Sequence, residues 1–135
     1  MKNYKIELGF SKLEKALQSL ETIAVKPLQE DRSNIDATIQ RFEFTIELFW
    51  KALKAILESK GVEVQYPKDV LKEAFKGHLI DDEDQWLQML TDRNLTSHTY
   101  DEQLANLIFS HIQGYVPILR ETFNQLHTQF IQSSF

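Results

Sequence analysis

The chain has 135 residues, 42% of them apolar and 26% charged, which suits one soluble domain spanning 1–135 with enough bulk for a real core. It contains no Cys, which excludes disulfides, thiolate metal sites and cysteine nucleophiles. A formal net charge of -5 speaks against holding nucleic acid by bulk charge, without excluding a local basic cleft. The stretch Met1-Lys2-Asn3-Tyr4-Lys5-Ile6-Glu7 lacks the apolar run of a signal peptide, and no stretch reaches the roughly 18 apolar residues of a membrane span, so a cytoplasmic protein is expected.

Few Gly and Pro favour long helices over turn-rich β structure. Ile6, Phe10, Leu13, Leu17, Leu20 and Ala24 step by three and four, which predicts a helix over about 4–25. Val25-Lys26-Pro27 ends it, and residues 26–33 read as a polar connection. Ser33 or Asn34 is expected to cap the next helix. Ile39, Phe42, Ile46, Phe49, Leu53 and Ile56 form its stripe. Phe44, Leu48, Trp50 and Leu57 add apolar surface off that stripe, so this is the predicted central helix, stopped by Gly61. Val62 to Tyr66 alternates like a strand, but a lone strand has no partner, so a linker is expected.

Pro67 suits the first turn of a short helix over 67–76, with Val70, Leu71, Ala74 and Phe75 buried and Gly77 as its stop. Asp81-Asp82-Glu83-Asp84 opens the next helix, whose apolar positions are Trp86, Leu87, Met89 and Leu90. Acids at a helix start match the dipole, and the loop glycine and terminal Glu of an EF-hand are missing. The last helix is expected from about Thr99, with Leu104, Ile108, Ile112, Tyr115, Leu119, Phe123, Leu126 and Phe130 as its stripe. Pro117 should kink it, and residues 131–135 should fray. The predicted fold class is all-α: an antiparallel up-and-down helical bundle of four longer helices plus one short helix.

In Asp92-Arg93-Asn94-Leu95-Thr96-Ser97-His98-Thr99-Tyr100-Asp101, polar side chains able to do chemistry crowd together without an obvious packing reason. If the preceding helix runs to about Ser97, Asn94 and His98 share a face. Arg93 then lies roughly 140° from His98 on an ideal helix, and the two converge if the last turn loosens or a second copy supplies one of them. Thr99-Tyr100-Asp101-Glu102 fits a capping box, which would put Tyr100 in the first turn. A purely structural account also exists. Arg93 would pair with Asp92 or Asp101, Asn94 would be a helix-terminal amide, and His98 an interhelix contact. On the residues alone that account is the stronger.

Arg93-x-x-x-x-His98-x-Tyr100 resembles the Arg-x4-6-His signature of the HEPN superfamily, in the form typical of the toxin half of HEPN/minimal-nucleotidyltransferase pairs. Two longer blocks are similar to its nucleotidyltransferase substrate-binding protein branch. One is Arg41-Phe42-Glu43-Phe44-Thr45-x-Glu47-Leu48-x-Trp50-Lys51-x-Leu53-Lys54. The other runs from Gly77-x-Leu79-Ile80-Asp81-Asp82 through Trp86-Leu87-x-Met89-Leu90 to Tyr100-Asp101-Glu102. The resemblance implies the same helical architecture and two functional readings. In one, the chain is a metal-independent endoribonuclease toxin with Arg93, Asn94 and His98 as catalytic residues. Two copies would pair so that Arg93 and His98 of both line a shared cleft. A separately encoded minimal nucleotidyltransferase would silence it by nucleotidylation of Tyr100. The added phosphate would meet Arg93 and the free N–H groups of a helix start. In the other reading, the chain is a non-catalytic subunit that presents a substrate or nucleotide to that nucleotidyltransferase. RNA is the expected substrate of the first reading, and no cofactor is expected in either.

Other residues have simpler explanations. Trp50 and Trp86 are expected in the core, and Lys51 and Lys54 on the solvated surface. His78, His111 and His127 lack partners at metal-ligand spacing, so no metal site is expected. There is no Gly-rich phosphate loop and no carboxylate pair of the kind a nucleotidyltransferase needs for its metal ions.

Overall fold

Asn3 starts the first helix: its side chain accepts hydrogen bonds from the N–H groups of Lys5 and Ile6, satisfying two donors that a helix start leaves open. The computed structural model describes residues 3–26 and 32–132. Among these, five α-helices follow one another: α1 (Tyr4–Ala24), α2 (Ser33–Ser59), α3 (Pro67–Lys76), α4 (Glu83–Leu95) and α5 (Glu102–His127). A 3-10 turn, Thr96–His98, joins α4 to α5, and a π turn, Thr128–Gln132, follows α5. The fold is the expected all-α antiparallel bundle. The predicted break at Pro27, most of the 26–33 connection and the fraying expected at 133–135 lie outside the described residues.

The α1 stripe packs mainly on α2, and Leu13, Leu17 and Leu20 are wholly buried. Each such leucine contributes about 1.5–3 kcal/mol relative to an exposed one. As its apolar breadth predicts, α2 is central, touching α1, α3, α4 and α5. Arg120 of α5 donates to Glu21 of α1 through Nε and Nη2, at 2.9 and 2.6 Å, which fixes the third long helix against the α1–α2 pair. The rings of Phe10 and Phe123 flank His127, a packed core-edge histidine. Trp86 is buried against Phe49, as expected. Trp50 is only half-buried, and its indole N–H donates to Glu47 at 3.2 Å. Lys51 is exposed, as expected, whereas Lys54 is half-buried.

The helix ends hold three corrections. Neither Ser33 nor Asn34 caps α2. Both lie inside it, and Arg32 occupies the cap position with a left-handed φ of 65°. Phe75 is not part of the buried side of α3; it is 39% exposed, while Val70, Leu71 and Ala74 face inward. Gly77 does end α3, but it keeps a negative φ, and the left-handed residue is His78 at φ 61°. The N–H of Leu79 reaches the carbonyl of Ala74 at 2.8 Å and that of His78 reaches Phe75, a two-bond helix stop built one residue beyond the glycine. At the end of α2 the same stop falls on Gly61, with φ 85°, as predicted. Residues 62–65 form no strand, and α5 runs through Pro117 as one α-helix.

Candidate functional site

The polar segment begins where α4 ends. Asp82 caps α4 by accepting from the N–H of Gln85, and Glu83 and Asp84 sit in the first turn, as the acidic run predicts. At the other end the backbone does not stay α-helical to Ser97. After Leu95 it tightens into the 3-10 turn. Two hydroxyls close that turn. Thr96 lies 2.7 Å from the carbonyl oxygen of Arg93 and 2.9 Å from the Glu43 carboxylate, and Thr99 donates to the Thr96 carbonyl at 2.9 Å.

That use of Thr99 overturns the predicted capping box. The cap of α5 is Asp101, whose carboxylate accepts from the N–H groups of Gln103 and Leu104 at 3.0 and 3.2 Å. A carboxylate suits the positive end of a helix better than a hydroxyl already engaged elsewhere. Tyr100 therefore precedes the helix instead of occupying its first turn, and it is 86% exposed. A phosphate was expected to meet free N–H groups of a helix start; at this start those of Gln103 and Leu104 are held by Asp101.

Arg93 points to α2. Its Nη2 lies 3.1 Å from Glu47, so neither Asp92 nor Asp101 is its partner. Glu47 is held in turn by the Trp50 indole and, at 3.6 Å, by Lys51. The Nε of Arg93 is buried without a hydrogen-bond acceptor among the described residues. Asn94 and His98 are exposed. His98 lies edge-on to Tyr100, with ring centroids 6.1 Å apart. The structure thus brings His98 to Tyr100 and Arg93 to Glu47. No hydrogen bond joins Arg93, Asn94 and His98 to one another within the chain. An open groove of about 500 Å³, bordered by Asp36, Gln40, Glu43, Thr96 and Thr99, adjoins the turn.

Sequence reasoning missed a second polar cluster one residue away. Asp92 is 2% exposed. One of its oxygens accepts from the Tyr115 hydroxyl at 2.5 Å and lies 2.9 Å from His111 Nδ1. The other accepts from Gln88 at 3.2 Å. Tyr115 is itself buried and stacks on Phe42 of α2. Burial pushes the Tyr115 hydroxyl well above the usual tyrosine range, and donation to Asp92 adds to this, so it remains a phenol donor. Burying a carboxylate costs several kcal/mol, and hydrogen bonds to a charged group each return about 1.5–3 kcal/mol. The two sides nearly cancel, so the cluster fixes geometry more than it adds stability. A signal for it was present: Trp86, Met89 and Asp92 step by three along the buried face of α4, and His111 and Tyr115 are four apart on α5.

Among the described residues, no group of three or more His, Asp or Glu side chains is placed to hold a metal ion. No described helix is long and apolar enough to cross a membrane.

The bundle and the sequence of its α4–α5 junction define a class. Residues 8–128 match the family described as nucleotidyltransferase substrate binding protein like, and the chain belongs to that family. Among individual relatives, it is 31% identical over 125 residues to a protein of Haemophilus influenzae named probable ribonuclease HepT, covering 82% of this chain and 86% of that one. A crystal structure of a Thermus thermophilus protein is 40% identical, with a TM-score of 0.77 and coverage of 84% and 98% of the two chains. A Haemophilus influenzae structure, described as revealing the fold of a substrate-binding domain of a nucleotidyltransferase, is 28% identical. Its TM-score is 0.66, with coverage of 90% and 96%.

Proposed function

We propose that this chain is a metal-independent endoribonuclease whose partner is a separately encoded minimal nucleotidyltransferase, with Arg93 and His98 as its working groups and Tyr100 as the residue through which it is silenced. The observation that carries this reading is the placement of His98 and Tyr100 side by side in solvent, next to a turn anchored by Arg93. In the reaction, the ribose 2′-oxygen of RNA attacks the adjacent phosphorus. The bond from phosphorus to the 5′-oxygen breaks, leaving a cyclic phosphate and a 5′-hydroxyl. An imidazole can take the 2′ proton or deliver one to the leaving oxygen. A guanidinium bears the charge on the phosphoryl oxygens. Asn94, exposed on the last turn of α4, is the third candidate, to orient the imidazole or bind a phosphate oxygen.

One chain offers a single free imidazole here, and its Arg93 is engaged by Glu47. A homodimer with Arg93 and His98 of both copies lining one cleft would double the set. Silencing would proceed by attack of the Tyr100 oxygen on the α-phosphorus of a nucleoside triphosphate held by the partner, with pyrophosphate leaving. The attached nucleotide would lie beside His98, where an RNA phosphate must bind, and repel it by charge and bulk.

The family description and the Arg93–Glu47 pair favour a second reading, in which the chain presents a substrate to the nucleotidyltransferase without cleaving anything. Expression of the chain with and without a nucleotidyltransferase encoded beside it separates the two. Growth arrest by the solo chain, lost in His98→Ala, together with added nucleotide mass on Tyr100 that is absent in Tyr100→Phe, is the expected result. No arrest and no modification, with a stable complex, leaves only the presenting role. The dimer is checked by light scattering at micromolar concentration.

A further inference from the structure

We infer that Asp92 is a positioning residue for the Arg93 site: through Tyr115 and His111 of α5 it sets the direction in which α4 delivers Arg93 and the turn that carries His98. The inference rests on the ribonuclease reading above for its catalytic consequence, but not for its structural one.

Successive residues on a helix point about 100° apart, so Asp92 and Arg93 reach different neighbours from one turn. Asp92 turns to α5 and Arg93 to Glu47 of α2. Thr96 adds a second tie to α2 through Glu43. The end of α4 is therefore fixed from two sides, and Asp92 supplies the hydrogen bonds on the α5 side. Beside this point lies an open groove of about 700 Å³ between α4 and α5, bordered by Asp84, Gln85 and Gln88 on one helix and His111, Gly114 and Tyr115 on the other. At Asp92 two hydrogen bonds join the helices. The α5 donors are firmly held: Tyr115 is buried and stacked on Phe42, and His111 is braced against the Tyr115 ring, with centroids 6.2 Å apart.

An apolar residue of similar volume would fill the same space. What it would lose is direction, because one carboxylate oxygen meets both Tyr115 and His111 while the other is held by Gln88 of the same helix. Arg93 is sensitive to such a change. Its Nε is closed off from solvent, so a small rotation of the last turn must move the whole guanidinium. Misplacing a catalytic group by about 1 Å can cost on the order of 100-fold in rate.

The test uses the full chain and three variants. Asp92→Leu removes the acceptor and keeps the bulk. Tyr115→Phe removes one donor only. Asp92→Asn keeps the shape and one oxygen that can face both Tyr115 and His111, and gives up the charge. RNA cleavage is read as kcat and KM separately. The Arg93 Nε–H resonance, assigned by its loss in Arg93→Lys, is read by NMR. For Asp92→Leu, kcat is expected to fall on the order of 100-fold with KM little changed, and the Arg93 signal to shift and lose protection. Tyr115→Phe follows in the same direction to a smaller degree, and Asp92→Asn restores most of the rate and the wild-type signal. If Asp92→Leu does not fold, Tyr115→Phe decides alone. An unshifted Arg93 resonance in the folded variants, or an effect confined to KM, overturns the assignment. If the wild-type chain cleaves no RNA, the ribonuclease reading fails, and the resonance still decides whether Asp92 positions Arg93.

Discussion

Two histidines of this bundle share a chemistry and differ in everything around it. His98 is exposed, at the end of a one-turn 3-10 helix, with the Tyr100 ring as its neighbour. His111 sits mid-helix, half-buried, with Nδ1 2.9 Å from the most buried carboxylate of the segment and Tyr115 beside it. The first is open to a substrate. The second is tied to Asp92 through Nδ1, and its motion is restrained. Packing, not residue type, separates a group available to a substrate from one that holds the scaffold. By the usual test of a carboxylate–imidazole pair, His111 has the more elaborate environment. Yet the motif belongs to His98.

That contrast can be broken most directly by removing each ring. His98→Ala should lower RNA cleavage by about 10²–10⁴-fold, the usual worth of a general acid–base group, and leave the urea midpoint unchanged. His111→Ala should do the reverse in emphasis. Its stability loss should be about 1–3 kcal/mol, because Asp92 is left buried with one donor fewer, and its rate loss should be smaller than that of His98→Ala. Paired urea titrations and cleavage assays check both. A stability loss for His98→Ala would mean that the exposed ring is structural after all.

Tyr115→Phe should cost a similar or smaller amount, about 1–2 kcal/mol, since it deletes one hydrogen bond to a charged acceptor and leaves the ring packed on Phe42. The same hydroxyl predicts an alkaline signature. Its pKa is raised in the folded chain by burial and then by Asp92, while the unfolded chain keeps the ordinary value near 10. The contribution is thus complete below about pH 10 and is lost as pH climbs toward the folded value, because the unfolded state releases the proton first. Unfolding free energy measured between about pH 9 and 11.5 should fall for the wild type, with a shallower slope in Tyr115→Phe. The smallest expected effect is that of a chelator. Arg93 and His98 perform their proposed roles without a metal ion, so cleavage should persist in EDTA, and full inhibition would overturn the mechanism.

Much of this molecule is written locally. The three-and-four steps of Leu13, Leu17 and Leu20, or of Phe42, Ile46 and Phe49, fix which side of each helix turns inward, because a helix repeats about every 3.6 residues whatever its neighbours do. Gly61 stops α2 where a left-handed residue is cheapest. The Arg93-x4-His98-x-Tyr100 spacing and the two blocks around it are equally local, and they point to the family that the comparisons support. The stop of α3 at His78 and the cap of α5 at Asp101 were less legible. In each, two adjacent candidates compete, and the winner is set by where the following chain must go.

The partners of the site lie beyond that reach. Glu47 stands in one of the blocks that carry the resemblance, yet nothing in the sequence says that it faces Arg93. Asp92 looks like a surface acid beside an arginine until α5 supplies Tyr115 and His111. Helical periodicity specifies a face, which is a property of one element. Which face meets which is decided only when the helices pack, since hydrogen bonds between elements depend on relative rotation and separation that no single element contains. The sequence by itself therefore determined the helices, their buried sides and the residues able to do chemistry. The tertiary structure alone decided which of those residues is left free in solvent and which is locked against a buried carboxylate.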